Sequence, residues 1–185
     1  MALTKTPVCD FGKKAENFKL KSIENKIISL NDVKGEKATL VMFICNHCPY
    51  VKAIIKDLAK DCNQLKKDGI NSVAIMSNDT KNYPEDSFDN MIKFAKANNF
   101  GEINYLIDET QDIAKKYGAV CTPDFFGYNK DLKLQYRGRF RELKDLKPTS
   151  GGDSDLKVAM IMISETQAGP KEQIPSMGCN IKWFN

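Results

Sequence analysis

One segment of this chain constrains its fold more than any other, because an apolar run leads directly into two closely spaced cysteines. Residues 39–44 read Thr-Leu-Val-Met-Phe-Ile, a pattern typical of a central β-strand that is covered on both faces. Cysteines follow at positions 45 and 48, then Pro49, and apolar residues recur at helical spacing as far as residue 67. Since proline is well tolerated in the first turn of a helix, the segment predicts a strand, a Cys-x-x-Cys pair and a helix, in that order.

The rest of the chain alternates between strand and helix patterns after a predicted N-terminal β-hairpin. Strands are predicted at residues 18–22, 26–29, 71–76, 103–107, 125–128 and 133–136, and helices at 30–34, 87–97, 111–117 and 153–165. This alternation indicates a mixed central sheet with helices on both faces, in the order expected of a thioredoxin-like α/β fold. We expect a single domain over residues 1–185, with an N-terminal surface arm at 1–16 and a C-terminal tail at 166–185, because this length suits one domain.

Composition excludes several classes of function. Lys and Arg total 28 against 24 Asp and Glu, and this net charge of +4 is too small and too evenly spread for a nucleic-acid-binding surface. No apolar run approaches the ~18 residues that span a bilayer, and the first residues lack the apolar core of a secretory signal. We therefore expect a cytoplasmic protein with no membrane or nucleic-acid partner, whose six cysteines are working thiols or ligands rather than structural disulfides.

The Cys-x-x-Cys pair is predicted to be a redox-active dithiol. Cys45 falls at or just before the helix N-terminus, where backbone N–H groups stabilise a thiolate and lower its pKa from an ordinary value of about 8.5. His47, the single histidine, lies between the cysteines and is expected to support the same thiolate. We assign nucleophilic attack to Cys45 and resolution to Cys48, and we place Asn46 and Pro49 at substrate-contacting positions.

Other interpretations of these residues stay open. The two cysteines can be packed core thiols, or they can bind zinc together with Cys121 or Cys179. His47 can be no more than a residue of the helix N-terminus. A haem attachment is excluded, because Pro49 follows the second cysteine where that site needs histidine. The redox interpretation needs no metal and no organic cofactor.

A second candidate element is the segment Val120-Cys-Thr-Pro123, which precedes a predicted strand. A proline at this position fits a cis peptide bond. Such a bond would place the backbone of Thr122 across from the thiol pair, ready to pair with an extended peptide or with a partner's cysteine. We therefore count Thr122 as a substrate-binding residue and Pro123 as part of the catalytic site.

Other chemically active side chains lie outside these two segments. Cys121 precedes Thr122, and Cys179 lies in the tail, which can fold back over the domain. For either thiol, an accessory resolving role and a buried, idle one both stay open. The acidic residues Glu85, Asp86 and Asp89 are interpreted as a charge bias at the N-terminus of the following helix.

Several segments, in order along the chain, resemble one family of proteins. They are the predicted strand with Cys45-Asn-His-Cys-Pro-Tyr-Val-Lys52, then Ser77-Asn-Asp79, Tyr83-Pro-Glu-Asp-Ser87, Gly118-Ala-Val-Cys-Thr-Pro-Asp-Phe125 and Gly178-Cys-Asn-Ile-Lys-Trp183. Together they resemble the peroxiredoxin-like proteins of the thioredoxin superfamily, which are related to alkyl hydroperoxide reductase and thiol-specific antioxidant domains. The resemblance covers nearly the whole chain and implies a thioredoxin fold, redox-active Cys45 and Cys48, and a cis bond at Pro123.

The chain departs from true peroxiredoxins at the residues that polarise a peroxide. Those proteins present the attacking cysteine in a Pro-x-x-x-Thr-x-x-Cys pattern completed by an arginine. When that cysteine is aligned with Cys48, Val41 takes the place of the proline and Cys45 that of the threonine. We therefore expect an antioxidant-type thiol–disulfide oxidoreductase that acts on a protein or small-molecule disulfide and is reset by an external dithiol. A thiol peroxidase acting through a sulfenic acid and a metal-binding or redox-sensing adaptor are the alternative functions.

Overall fold

The computed structural model describes residues 3–184, and β-strands form its centre. Twelve strands lie within that range: β1 (Leu3–Lys5), β2 (Lys19–Ser22), β3 (Ile27–Ser29), β4 (Ala38–Phe43), β5 (Ile70–Met76), β6 (Asn104–Ile107), β7 (Cys121–Thr122), β8 (Asp124–Asn129), β9 (Leu134–Tyr136), β10 (Leu143–Lys144), β11 (Lys147–Pro148) and β12 (Met177–Asn180). Five α-helices lie there too: α1 (Leu30–Val33), α2 (Pro49–Lys66), α3 (Phe88–Ala97), α4 (Asp112–Tyr117) and α5 (Asp155–Thr166). One turn of 3-10 helix, Pro84–Asp86, precedes α3.

Seven of the strands form one mixed sheet in the order β3-β2-β6-β5-β4-β8-β9. β5 pairs in parallel with β4 and β6, whereas the remaining neighbours pair antiparallel. All six residues of β4 are buried, as its continuous apolar run predicts for a central strand. The predicted N-terminal hairpin is formed by β2 and β3, and it extends the sheet through the pairing of β2 with β6.

Helices cover both faces of this sheet, which confirms the predicted layers. Met42 of β4 shares a buried cluster with Leu58 of α2 and Met160 of α5. The next residue, Phe43, points to the opposite face, because successive side chains of a strand alternate. There its ring packs against Tyr117 of α4, with ring centroids 5.5 Å apart. The sheet is therefore buried on both sides along its central strand.

The helix α2 begins at the Cys-x-x-Cys segment. Cys48 is its N-cap residue and Pro49 takes the first helical position, where the missing proline N–H costs no hydrogen bond. The buried face of the helix consists of Val51, Ile54, Ile55, Leu58, Ala59, Asp61, Cys62 and Leu65. Gly69, at a left-handed φ of +78°, lets the chain turn away after the helix end. Burial of this helical face against the sheet fixes Cys48 at the helix N-terminus and Cys45 in the connection from β4.

The two ends of the chain form a second, three-stranded sheet in the order β1-β12-β7. All its pairings are antiparallel, and they place Cys179 of β12 opposite Thr122 of β7. This corrects the interpretation of residues 1–16 and 166–185 as a plain arm and tail, because each segment contributes a strand. Residues 1, 2 and 185 of these segments lie outside the described part of the chain. The C-terminal strand covers the end of α2 that carries the cysteines.

The remaining differences from the predicted elements are small. Each predicted helix and strand has a counterpart, with bounds that agree to within two residues. The short antiparallel hairpin of β10 and β11 is an addition that was not predicted. Within residues 3–184, every helix is too short or too polar to cross a membrane.

Candidate active site

The two cysteines of the pair lie together between β4 and α2, and both side chains are fully buried, at 0% exposure. The Sγ atom of Cys48 lies 3.0 Å from the Sγ atom of Cys179 and 3.1 Å from the carbonyl oxygen of Thr122. The Sγ atom of Cys45 lies 3.3 Å from the Oγ1 atom of Thr122. Thr122 of β7 and Cys179 of β12, both in the three-stranded sheet, therefore lie against the pair.

The pKa of Cys48 is lowered to about 5. The largest cause is a hydrogen bond from the Cys45 thiol, and it acts against burial, which disfavours the charged form. The Cys179 thiol and the backbone N–H groups of Cys179 and Val51 add further hydrogen bonds that favour the thiolate. Cys48 is therefore the more acidic thiol of the pair, at the N-terminus of α2 where the helix dipole also favours a negative charge. When it is protonated, its thiol donates to the carbonyl oxygen of Thr122.

The pKa of Cys45 is raised, which is the opposite of the effect predicted from the sequence. The main cause is its hydrogen bond with Cys48, in which Cys45 keeps the proton while Cys48 carries the charge. Burial and the negative charge of Asp86 raise the pKa of Cys45 further. The expected effect of the helix N-terminus falls on Cys48 instead, because the helix begins at Pro49 and Cys48 is its N-cap.

His47 forms an ion pair with Asp86 beside the thiols. Its Nδ1 atom lies 2.7 Å from Oδ2 of Asp86, and its ring stacks on that of Tyr83 at a centroid distance of 5.7 Å. The hydrogen bond to Asp86 raises the pKa of His47. Burial alone would raise the pKa of Asp86, but hydrogen bonds from His47 and Asn78 lower it. The charge of Lys182 lowers the pKa of His47 and the charge of Cys48 raises it, both by less than Asp86 does, so the support of a thiolate by His47 stays a prediction.

Asp86 is the centre of a buried polar network that sequence reasoning missed. Its carboxylate is fully buried and accepts hydrogen bonds from the backbone N–H of Asn46 and from Nδ2 of Asn78, each at 2.8 Å. The interpretation of Asp86 as part of a helix charge bias is therefore wrong, because it lies in the 3-10 turn before α3 and faces the thiols. A signal was present: the segment around Asp86 is one of those that carry the family resemblance.

The two predicted substrate-contacting residues, Asn46 and Pro49, differ in how exposed they are. The Asn46 side chain donates to the carbonyl oxygen of Glu85 at 3.1 Å and accepts from the hydroxyl of Tyr105 at 2.9 Å. Both polar ends of Asn46 are thus used inside the protein, and the residue is buried. Pro49 is partly exposed, as is the neighbouring Tyr50, so these two residues form the accessible rim beside the pair.

The segment at Thr122 and Pro123 meets the thiol pair, but its backbone is not free. The Thr122–Pro123 peptide bond is cis, as predicted. Thr122 pairs with Cys179 of β12, and the hydroxyl of Ser176 donates to the carbonyl oxygen of Pro123 at 2.8 Å. The expectation that Thr122 is available to an incoming peptide is therefore corrected, because the chain's own C-terminal strand occupies that edge.

The two candidate accessory thiols have different surroundings. Cys179 contacts Cys48, and burial together with this hydrogen bond raises the pKa of Cys179 to about 12. Cys121 lies next to Thr122 in β7, and its Sγ atom is 3.5 Å from the carbonyl oxygen of Pro123. Burial raises the pKa of Cys121 as well. The structure therefore brings Cys179, and not Cys121, into sulfur–sulfur contact with the pair.

Within residues 3–184, one group of side chains is close enough to share a metal ion: Cys45, His47 and Asp86, whose ligand atoms all lie within 4.8 Å of one another. This set differs from the zinc ligands considered from the sequence. The Nδ1 atom of His47 and the Oδ2 atom of Asp86 already hydrogen-bond to each other, and Asn78 also donates to Asp86. A metal ion would have to replace these bonds, so the donor set fits an ion pair better than a metal site.

Comparison with protein families shows which family the chain is similar to. The AhpC/TSA family matches residues 11–137, a range that includes the Cys-x-x-Cys pair and the Thr122–Pro123 segment but not β12. A comparison with curated proteins gives no match.

The solved structures similar to the chain include two with more than 30% sequence identity and others with lower identity. An uncharacterized conserved protein from Geobacillus kaustophilus is 40% identical with a TM-score of 0.89, over 100% of this chain and 97% of its own. A hypothetical protein from Sinorhizobium meliloti is 36% identical with a TM-score of 0.90, over 98% of both chains. The thioredoxin domain of a thiol-disulfide oxidoreductase from Bacteroides vulgatus is 20% identical with a TM-score of 0.59, over 70% of this chain and 89% of its own. This last similarity confirms the predicted thioredoxin-like fold.

Proposed function

The chain belongs to the AhpC/TSA family and has a thioredoxin-like redox function, and on this basis we propose that it is a thiol–disulfide oxidoreductase. It acts through a Cys45–Cys48 dithiol that becomes a disulfide as a substrate disulfide is reduced. The observation that carries this proposal is the position of Cys48 as the N-cap residue of α2, where its pKa is lowered while the pKa of the neighbouring Cys45 is raised. One sulfur is thus ready to attack, and a second thiol is held beside it.

The exchange takes two steps in which electrons balance. The Cys48 thiolate attacks one sulfur of the substrate disulfide, forms a mixed disulfide and releases the first substrate thiolate. Cys45 then loses its proton and attacks Cys48, which breaks the mixed disulfide and releases the second substrate thiolate. The two electrons come from the dithiol, and an external dithiol restores it. The proposed order reverses the roles expected from the sequence, and it is supported by the lowered pKa of Cys48 and the raised pKa of Cys45.

Access to the site needs a local opening. Both sulfur atoms are buried, and the strand β12 covers Cys48. A disulfide substrate therefore reaches Cys48 only when β12 moves away from β7. The opening that this creates lies next to Pro49 and Tyr50, which are partly exposed. The polar network around Asp86 is connected to this segment through Asn78, which donates to Asp86 and accepts a hydrogen bond from the backbone N–H of Lys182, two residues after β12. In this mechanism, His47 and Asp86 position the pair electrostatically, while Thr122 and Pro123 form the surface that the opening exposes.

Insulin disulfide reduction with a dithiol donor tests the proposal. The parent protein is compared with Cys48→Ser, Cys45→Ser and the control Cys9→Ser, whose residue lies in the N-terminal segment outside the site. We expect Cys48→Ser to lose activity, Cys45→Ser to turn over more slowly than the parent because its resolving thiol is missing, and Cys9→Ser to match the parent. Full activity in both Cys48→Ser and Cys45→Ser would refute exchange through this pair.

A thiol peroxidase is the second candidate, because a buried thiolate with neighbouring thiols also suits reaction with a hydroperoxide. The Cys48 thiolate would take one oxygen to become a sulfenic acid and release an alcohol or water, and a neighbouring thiol would then form a disulfide with loss of water. Against this candidate, the three arginines of the chain pair elsewhere, with Asp124, Asp155 and Asp57. Stopped-flow measurement of peroxide loss, with dimedone trapping of a sulfenate, distinguishes the two functions. Fast second-order loss with a trapped sulfenate at Cys48 would place peroxidase activity first.

A further inference from the structure

We propose that Cys179 is a second disulfide partner for Cys48, so that the disulfide of the oxidised protein exchanges between Cys45–Cys48 and Cys48–Cys179. The second form ties the C-terminal strand β12 covalently over the active site. This inference rests on the proposed function, because the first disulfide is the product of substrate reduction.

The sulfur positions favour this exchange. The Sγ atoms of Cys48 and Cys179 are 3.0 Å apart, and a disulfide bond is about 2.05 Å long. A shift of roughly 1 Å therefore brings them to bonding distance. Both side chains are almost fully buried, with Cys48 at 0% and Cys179 at 4% exposure, so a reagent from solvent competes poorly with Cys179 for Cys48.

The strand β12 holds Cys179 in this position by pairing on both sides. Cys179 is opposite Thr122 of β7 and opposite Leu3 of β1. Gly178 allows the close approach, since a Cβ atom there would lie 2.0 Å from the carbonyl oxygen of Thr122. An extended segment that adds itself to a strand edge, with a cysteine against the reactive thiol, has the geometry of a bound disulfide substrate. In this protein, the C-terminal strand takes that position.

The exchange step needs no oxidant or reductant. Starting from the Cys45–Cys48 disulfide, Cys179 loses its proton and its sulfur attacks the sulfur of Cys48. The Cys48–Cys179 bond forms as the Cys45–Cys48 bond breaks, and Cys45 leaves as a thiolate that takes up a proton. One disulfide and one thiol are present before and after the step. Cys45 is then a free thiol. Cys48 cannot react with a disulfide substrate until a reductant breaks the Cys48–Cys179 bond.

Disulfide mapping of the full chain tests the proposal. The reduced protein is equilibrated with oxidised glutathione, its free thiols are alkylated in acid denaturant, and it is digested with trypsin. Cleavage at lysines gives one peptide, 38–52, with both cysteines of the pair, and another, 172–182, with Cys179. We expect a linked 38–52/172–182 species from the parent and, as the main product, from Cys45→Ser. The linked species should be lost completely from Cys48→Ser and Cys179→Ser, and Cys9→Ser should match the parent.

The outcomes separate this inference from the proposed function. If oxidised Cys45→Ser, and equally Cys45→Ala with a parent-like circular dichroism spectrum, gives no linked species, the inference is wrong. In that case an internal disulfide within peptide 38–52 and insulin reduction by the parent would leave the proposed function intact. Conversely, if the parent did not reduce insulin but still gave the linked species, the proposed function would be refuted. The disulfide between Cys48 and Cys179 would then still be supported.

Discussion

A negative charge at Cys48 is favoured by several hydrogen-bond donors near its sulfur atom and disfavoured by one acceptor, the carbonyl oxygen of Thr122 at 3.1 Å. Those donors are the thiols of Cys45 and Cys179 and the backbone N–H groups of Val51 and Cys179. An ordinary solvent-exposed thiol has only water as a donor, and its pKa is about 8.5. Because the reduced form gains this stabilisation and the disulfide does not, the disulfide is more oxidising than one between ordinary thiols.

Removal of the main donor is expected to raise the pKa of Cys48. In Cys45→Ala the hydrogen bond to the thiolate is lost, and we expect the pKa to rise from about 5 by at least about one unit, equivalent to ~1.4 kcal/mol. Cys45→Ser keeps a hydroxyl that can donate, so its pKa should rise less. Thiolate ultraviolet absorbance, measured against pH with Cys48→Ala as the reference, gives these values. An unchanged pKa in Cys45→Ala would show that Cys45 is not the donor.

The ion pair of His47 and Asp86 is a second contact that changes the pKa of an individual residue. Since Asp86 raises the pKa of His47, Asp86→Asn should lower that pKa to the ordinary value near 6.5 or below it, because partial burial disfavours the imidazolium. His47 is the only histidine, so its ring resonances in a proton NMR titration are assigned without ambiguity. The control is Asp89→Asn, which removes an exposed carboxylate of the same acidic segment. An equal shift in both variants would mean that net charge, and not the hydrogen bond, sets the pKa of His47.

At the scale of elements, β12 depends on a glycine. A Cβ atom at Gly178 would lie 2.0 Å from the carbonyl oxygen of Thr122 and 3.1 Å from Cδ of Pro123. The first of these contacts is to backbone, which cannot rotate away as a flexible side chain can. The close approach of β12 to β7, and with it the position of Cys179 against Cys48, therefore requires glycine at this position.

Gly178→Ala is expected to loosen β12 and expose Cys48. Overpacking of this kind costs about 1–3 kcal/mol, and if opening of the strand becomes easier by ~1.4 kcal/mol, alkylation of Cys48 becomes about tenfold faster. Mass spectrometry of the reduced protein after timed exposure to iodoacetamide measures the rate. Gly151→Ala is the matched control, because a Cβ atom there meets nothing within 4 Å. Equal rates in Gly178→Ala and the parent would mean that β12 does not limit access.

The elements that could be predicted from the sequence are those whose pattern is local. The apolar run of β4, the proline at the start of α2 and the helical spacing after it lie within 30 consecutive residues or so. The strand β12 has no such pattern: it is four residues long, contains a glycine, and exists because it pairs with Leu3 and Thr122, which are far away in sequence. The same holds for Asp86, whose role depends on contacts with Asn46 and His47 that only the fold creates.

At the scale of the whole molecule, the thiols lie where the two sheets meet. The central sheet delivers Cys45 from the end of β4, while the smaller sheet delivers Thr122 and Cys179 from β7 and β12. The helix α2 closes the site from its N-terminus. Folding therefore assembles the donors that lower the pKa of Cys48, and in the unfolded chain this thiol has none of them. Protonation of Cys48 must consequently be linked to the stability of the fold.

The sign of this linkage follows from the two pKa values. In the folded, reduced protein the pKa of Cys48 is about 5, and in the unfolded chain it is near 8.5. Between these values the unfolded chain binds more protons, so the free energy of unfolding rises with pH, by at most ~1.4 kcal/mol per pH unit. The contribution is absent below the folded pKa, because Cys48 is then protonated in both states, and it is complete above the unfolded pKa.

Urea unfolding of reduced protein from about pH 5 to about pH 8 tests this linkage. The difference in free energy of unfolding between the parent and Cys48→Ala should widen steadily as the pH rises, because only the parent gains from the folded thiolate. Cys62→Ala is the control in the same helix: burial raises the pKa of Cys62 to about 12, so this thiol stays protonated throughout the range. Its removal should lower stability by a constant amount at every pH. If the curves of the parent and Cys48→Ala ran parallel, the folded protein would hold no thiolate at Cys48, and attack would have to be reassigned to another sulfur.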